Sequence, residues 1–443
     1  VLQLALIAIA FGSSCLNVAL SSPLIDRLEA GQHQTVVVYG TSLTAGGAWV
    51  SQLSASLNAA YPGQLTWINA GQSGKASATG VAALNSTVLA KNPDAVFIEF
   101  AMNDAFTAYE PSEVDYDITQ AESKANLNAM IDAIMSQNPN AQVILQTMNP
   151  SWNAPNGNGS ATKRPQLAQY YQGYREVAAD RGLTLIDHNA VWMKLQQKAP
   201  ADFQKYVADG THPDFAGYQQ LVTPAIRWNL NADTGLTLVV DLATGRGVLQ
   251  NHSNETLQLV SFTIHSDSGA LDTSWESFSD RGNSAWHEAN PTSYDLSELN
   301  PLSVMKLAPH AKTSLGVVWN ASRSLDLQLS YLADDGILRQ GAVVFDDAAA
   351  TLAKRGDFND DGVVDGADFL EWQRSYGATV QPLSKADDNG DGVVDASDLN
   401  AWRSAYQATL LGTSGRLHSV PEPSGLIQTL VFLLALARQS ASR

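Results

Sequence analysis

The sequence has one cysteine in 443 residues, Cys15, which lies inside the first apolar run. A single thiol forms no intramolecular disulfide and supplies no thiol-rich metal or redox site. Positive charge is scarce as well: 26 Lys and Arg stand against 44 Asp and Glu, a net charge of −18. Nucleic-acid affinity comes largely from Lys and Arg releasing counterions from phosphates, so nucleic acid is excluded as the main ligand. Long hydrophobic runs are also missing. Those near the two ends, Leu2 to Phe11 and Leu426 to Ala437, fall short of the ~20 residues that a membrane-spanning helix needs. What remains is 44% apolar residues over a length beyond one small domain. Two to four packed domains are expected, with hard cations as the available reinforcement.

The two ends read as addresses. The first run has signal-peptide length and leads through small residues to Ala19-Leu20-Ser21, so residues 1–21 are expected to be a signal peptide and the mature chain to begin near Ser22. At the other end, VPEPSG (Val420 to Gly425) precedes the second run, then Arg438 and Arg443. Residues 420–443 resemble the PEP-CTERM sorting signal of exopolysaccharide-producing bacteria. That resemblance implies export, handling by an exosortase-type processing enzyme, and an extracellular or cell-envelope location in a Gram-negative-type bacterium.

Between the addresses the texture changes twice. Short β-branched runs at 35 (TVVVY), 65 (LTWIN), 95 (AVFIEF), 142 (QVILQT) and 183 (LTLID) are nearly continuous in apolar character. Parallel strands buried on both faces read this way, and the helical stretches between them, such as 118–136 and 163–180, complete an open three-layer α/β sheet over 33–231. From 233 to 348 the pattern alternates without long helices, clearest at Leu325, Leu327, Leu329 and Tyr331, and predicts an all-β sandwich. Trp275 and Trp286 in this region are either core residues or sugar-stacking platforms. A third unit is expected at 355–410.

Four blocks at strand ends carry chemistry. Tyr39-Gly40-Thr41-Ser42-Leu43-Thr44 closes the first strand, putting Ser42 in a strand-to-helix turn at the sheet's carboxyl edge, where open α/β sheets bind ligands. Asn69-Ala70-Gly71-Gln72-Ser73-Gly74 follows the second strand and offers a backbone N–H unobstructed by a side chain. Glu99-Phe100-Ala101-Met102-Asn103-Asp104 follows the third and brings an amide donor, and Asp209-Gly210-Thr211-His212-Pro213 precedes the last helix. Ester hydrolysis needs a nucleophile, a base, a group that orients the base, and donors for the tetrahedral oxyanion. In that chemistry Ser42 attacks, His212 is the base and then the acid, Asp209 orients His212, and the Ser42 and Gly74 N–H groups with the Asn103 amide hold the oxyanion. His188, beside Asp187, is the rival base, though adjacent Asp and His side chains tend to point apart.

Together the blocks resemble the SGNH (GDSL-type) hydrolase family over roughly 35–230. The family's Ser, Gly, Asn and His fall on Ser42, Gly74, Asn103 and His212, and its triad Asp on Asp209. The resemblance implies a flavodoxin-like α/β/α fold, cleavage of esters and acyl groups, and no cofactor for catalysis. Two departures stand out: Thr41 replaces the usual Asp before the nucleophile, and Ala101 replaces the Gly of Gly-x-Asn-Asp, which is expected to narrow the pocket.

A twelve-residue pattern, D-x-N-x-D-G-V-V-D-x-x-D, occurs at Asp357–Asp368 and again at Asp387–Asp398. Oxygens at positions 1, 3, 5, 9 and 12 with the position 7 carbonyl converge on one Ca²⁺ in such loops, and Gly at position 6 allows the turn. The predicted ligands are Asp357, Asn359, Asp361, Val363, Asp365 and Asp368 for one ion, and Asp387, Asn389, Asp391, Val393, Asp395 and Asp398 for the other. The duplicated loops, each followed by an apolar helix, resemble type I dockerin. This implies a small α-helical module with two structural calcium ions and a cohesin-like partner. The leading expectation is a secreted serine esterase acting on ester substrates, with acetylated polysaccharide as the natural candidate. The alternatives are a lipase, lysophospholipase or thioesterase, or an inactive extracellular scaffold protein.

Overall fold

The computed structural model describes residues 22–232, 235–346, 355–359, 363–380, 383 and 386–412. The expected signal peptide (1–21), the sorting tail (420–443) and Asp361 lie outside these residues.

Five parallel strands form the first sheet: β1 (Gln34–Gly40), β2 (Leu65–Asn69), β3 (Ala95–Glu99), β4 (Gln142–Thr147) and β5 (Thr184–Asp187). Their order is β2-β1-β3-β4-β5. Every residue of β3 and β4 is buried, as helices on both faces of a parallel sheet require. Local chemistry sets the helix ends. Thr119 and Glu122 form a reciprocal capping box at the start of Gln120–Gln137, and Gly182, at φ +62°, stops Leu167–Arg181 in the left-handed conformation. The chain leaves β1 toward β2 on one side and returns to β3 on the other. Such a reversal opens a crevice beyond the carboxyl ends of β1 and β3, which is where doubly wound sheets bind ligands.

The second region is β-rich: β6 (Leu236–Val240), β7 (Arg246–Asn251), β8 (Leu257–Ser266), β9 (His287–Glu288), β10 (Asp295–Leu299), β11 (Met305–Leu307), β12 (Lys312–Val317), β13 (Leu327–Ala333) and β14 (Leu338–Phe345). Eight of these nine strands lie on one hydrogen-bonded path, with β11 paired to β8 beside it, because β14 changes partner midway. Its first half pairs antiparallel with β13 and its second half, from Ala342, parallel with β6. Gly341 sits at the changeover, where a Cβ would come within 2.6 Å of the Leu236 carbonyl. Trp275 and Trp286 are core: both are buried, and they pack with Phe262 and Phe278 at ring separations of 5.1 to 6.1 Å. One continuous apolar core runs from the α/β layers into this region.

Beyond it, the helices Gly366–Ser375 and Ala396–Gly412 follow the two acidic loops. The repeat in sequence is a repeat in bonding. Asp368 accepts the N–H groups of Phe358, Asn359 and Asp365, as Asp398 accepts those of Asp388, Asn389 and Asp395. The Trp372 indole donates to the Asp395 carbonyl at 2.8 Å, and that of Trp402 to the Asp365 carbonyl at 2.6 Å, so each helix is tied to the other loop. Among the described residues the buried apolar cluster of this unit is Phe358, Ala386 and Val394, with Trp372, Val380 and Trp402 packed against it, a small core for a module of this size. Bound cations would supply folding free energy. Hydrogen exchange of the whole chain should therefore accelerate over 366–375 and 396–406 when calcium is chelated, while amides of β3 and β4 keep their protection.

Candidate active site

Three loops meet at the carboxyl edge. Thr41 ends β1 in extended backbone and caps the short helix Ser42–Ala45, its hydroxyl accepting the Leu43 N–H. The loop after β2 lies on this turn. Gln72 N–H donates to the Gly40 carbonyl, and the Asn69 amide donates to the carbonyls of Thr44 and Ala45. Gly71 allows the approach, since a Cβ there would lie 2.3 Å from the Ala45 nitrogen. Gly74 is at φ +74° with open space where a Cβ would be, so this glycine answers a backbone demand and not a steric one. After β3, the Asn103 amide donates to the Lys75 carbonyl at 2.9 Å. An amide nitrogen carries two hydrogens, so one stays available. The N–H groups of Ser42 and Gly74 have no protein acceptor among the described residues.

The fourth loop comes from across the sheet. Ser42 Oγ lies 2.8 Å from His212 Nε2, and His212 Nδ1 lies 2.7 Å from Asp209 Oδ2. Asp209 Oδ1 accepts the backbone N–H groups of Thr211 and His212. Partial burial pushes the Asp209 carboxyl upward, but these bonds and the His212 side chain outweigh it and hold the group below its usual value. Contacts to the segment after β4 fix the loop: Asn149 donates to the Thr211 carbonyl, and Thr211 and Ser160 share a hydroxyl bond at 2.6 Å. Gly210 lies so near the Trp152 carbonyl that a Cβ would be 2.2 Å from it. His188 is elsewhere, buried against Gln146, while Asp187 pairs with Arg175.

Three residues outside the expected set support this edge. Tyr109 donates its hydroxyl to the Gly74 carbonyl at 3.0 Å. Arg164 bonds the Met102 carbonyl and stacks on Phe106. Glu99, inside the third block, turns its carboxylate under the Ser42 turn, where it accepts from Thr41 and Thr44. Tyr109 and Arg164 left no trace in sequence because each reaches this edge through a backbone carbonyl, which any residue supplies. Ala101, at the start of the turn after β3, is buried.

Residues 38–220 match the model of the GDSL-like Lipase/Acylhydrolase family, and residues 355–402 that of the Dockerin type I domain. The chain carries a GDSL-like acylhydrolase domain and a type I dockerin domain. It is a hydrolase of the esterase type. Among solved structures it is similar to a catalytic mutant of an acetylxylan esterase from Geobacillus stearothermophilus, at 21% identity over 45% of this chain and 95% of that one, TM-score 0.38. It is also similar to an alpha/beta hydrolase enzyme from the metagenome of Lake Arreo, Spain, at 25% identity, 45% and 95% coverage and TM-score 0.38. A third is the lipase/acylhydrolase from Enterococcus faecalis, at 28% identity, 44% and 93% coverage and TM-score 0.36. None of the curated proteins compared with the chain matches it.

The type I dockerin domain is a calcium-binding module. Its chemistry fits a cation here: Asp387 and Asp398 are buried within each other's field, and burial pushes their carboxyls up to about 7 and about 6. Among the described residues, which leave out Asp361, no three His, Cys, Asp or Glu side chains converge as a metal cluster.

Glu99 sets a pH dependence of stability. Burial raises its carboxyl to about 7, against the bonds from Thr44 and Thr41 and with the nearby Asp104 adding to the rise. Tyr171, Tyr174 and Tyr218 also lie within its field and are neutral in this range. A folded pKa above the unfolded one contributes stability that is complete below about 4.5 and is lost as pH rises through about 7. The denaturation midpoint of Glu99→Gln relative to the parent should therefore rise between pH 4.5 and 7.5 and then level off.

Proposed function

We propose that the chain is an exported serine esterase in which Ser42, His212 and Asp209 form the catalytic triad. The observation that carries this reading is the unbroken pair of short contacts from Ser42 to His212 to Asp209, beside N–H groups that lack acceptors. His212 Nε2 takes the Ser42 proton as Oγ adds to the ester carbonyl carbon. Asp209 holds the other ring nitrogen's proton and stabilises the imidazolium. The carbonyl oxygen, now anionic, receives the Ser42 and Gly74 N–H groups and the free hydrogen of Asn103. Collapse expels the alcohol, which takes its proton from His212. Water then repeats the sequence on the acyl-enzyme, releasing the acid and restoring Ser42.

The substrate reading follows from domain company. The proposed order is a signal peptide at 1–21, the catalytic domain at 33–231, a β-sandwich at 233–348, the calcium module at 355–410 and a sorting tail at 420–443. Dockerin domains occur on extracellular proteins, and among the described residues no helix is long and apolar enough to cross a membrane. An extracellular esterase with a docking module for a cohesin-like partner suits acetylated polysaccharide, which is acted on outside the cell. Ca²⁺ would be structural in the module and absent from the chemistry.

Ser42→Ala should abolish hydrolysis of p-nitrophenyl acetate while leaving the circular dichroism spectrum unchanged. Turnover at the parental rate would refute the assignment. Asn103→Ala should lower kcat on the order of 10²-fold with the remaining activity still dependent on Ser42; an unaltered kcat would place the oxyanion donor elsewhere.

A further inference from the structure

Glu99 is a carboxylate in an expensive place. It is 1% exposed and, among the described residues, has no Lys or Arg within ion-pair distance. A buried carboxylate without a cation costs several kcal/mol unless donors surround it, so its donors explain why it is there. All of them belong to one turn. The Thr41 N–H reaches Oε1 at 2.7 Å, the Thr41 hydroxyl lies 3.0 and 3.1 Å from the two oxygens, and the Thr44 hydroxyl reaches Oε1 at 2.7 Å. These residues bracket Ser42. Position 40 is fitted to the same carboxylate, since a Cβ on Gly40 would lie 2.3 Å from Oε1.

We propose that Glu99 is a positioning residue for the Ser42 nucleophile, reaching from the end of β3 to hold the turn that aims the serine hydroxyl at His212. The inference rests on the esterase reading above. Each bond fixes one degree of freedom. Accepting the Thr41 N–H sets the plane of the peptide that enters the turn. Accepting the Thr41 O–H leaves that hydroxyl's lone pair for the Leu43 N–H at 3.2 Å, which starts the helix on the nucleophile. Accepting the Thr44 O–H anchors the far side of the same turn. The Trp49 indole and the Tyr218 hydroxyl, both on the Leu43 carbonyl, hold it from outside the sheet. With Thr41 and Thr44 restrained, the Ser42 N–H is left without a protein acceptor among the described residues, and Oγ stays 2.8 Å from His212.

This arrangement also accounts for Thr41. An Asp at 41 would set a second carboxylate against Glu99 in a buried site, where two like charges repel strongly. A threonine instead gives Glu99 a donor. The acidic group of the turn thus comes from β3 and not from the residue before the serine. The raised titration of Glu99 fits a group placed for function at a cost to stability.

The test compares Glu99→Gln, Thr44→Val and Thr44→Ser in the full chain at pH 8, measuring kcat and KM on p-nitrophenyl acetate together with the thermal midpoint. Glutamine keeps the shape but replaces one acceptor oxygen by a donor. Valine removes one donor and leaves the carboxylate intact. Glu99→Gln and Thr44→Val should each lower kcat about ten-fold or more with KM within two-fold, since small displacements of a reacting group cost rate and not affinity. Thr44→Ser should retain parental kcat, and the Glu99→Gln midpoint should not fall. A purely structural role would lower the midpoint and spare kcat in the molecules that remain folded. Parental kcat in both Glu99→Gln and Thr44→Val would overturn the inference; if Glu99→Gln fails to fold, the Thr44→Val and Thr44→Ser pair decides alone. An inactive parent would sink the esterase reading itself, whereas an active parent with unimpaired variants sinks only the role of Glu99.

Discussion

Ser42 and His212 are 170 positions apart and 2.8 Å from each other, and the α/β domain is organised around keeping them so. Neither side chain is held by the other alone. Ser42 is set by the end of β1, by the glycine that lets the β2 loop lie on its helix, and by Glu99 at the end of β3. His212 is set by Asp209 within its own loop, and that loop is pinned to the segment after β4 through Asn149 and Ser160. Four of the five parallel strands thus contribute their carboxyl ends to one contact. A parallel sheet suits this task because every strand delivers its following loop to the same edge.

Buried acids run through the structure in a consistent way. Glu99 secures the turn around Ser42, and Asp104 joins the helix starting at Ser77 to the helix Gln120–Gln137 by accepting from Ser77 and Ser123. In the β-rich region Glu298 receives the N–H groups of Phe278 and Ser279. Each is raised by burial, to about 7, about 6 and about 7 in turn. Backbone and hydroxyl donors are their main compensation, so these acids trade stability at neutral pH for fixed loop geometry. In the dockerin module the same economy has a different outlet, since its buried acids repeat on a spacing suited to Ca²⁺.

Much of this was legible in the amino-acid order. Runs such as Val36-Val37-Val38 and Val143-Ile144-Leu145 read as doubly covered strands because both faces are buried. The four chemical blocks were readable because each is short, contiguous and placed at a strand end. What escaped notice depends on distant partners. Glu99 lay inside a block that had been noted, yet only the paired register of β1 and β3 sets it under Thr41 and Thr44. Strand β10 is hard to read from its residues because Glu298 points inward with Leu296, which breaks the apolar alternation a half-buried strand should show. The changeover at Gly341 was hidden too, since strand patterning says which face is buried and not which neighbour is bonded. The tryptophans of the β-rich region were ambiguous until their burial was seen.

The central claim, that Ser42 is the activated nucleophile of an esterase, is tested most directly by covalent labelling. The full chain would be treated with a fluorophosphonate, residual esterase activity followed in time, and the modified peptide identified by mass spectrometry. The account predicts one adduct per chain, on Ser42, accumulating in step with the loss of activity. Inactivation with the adduct on another residue, or full activity surviving complete modification of Ser42, would contradict it.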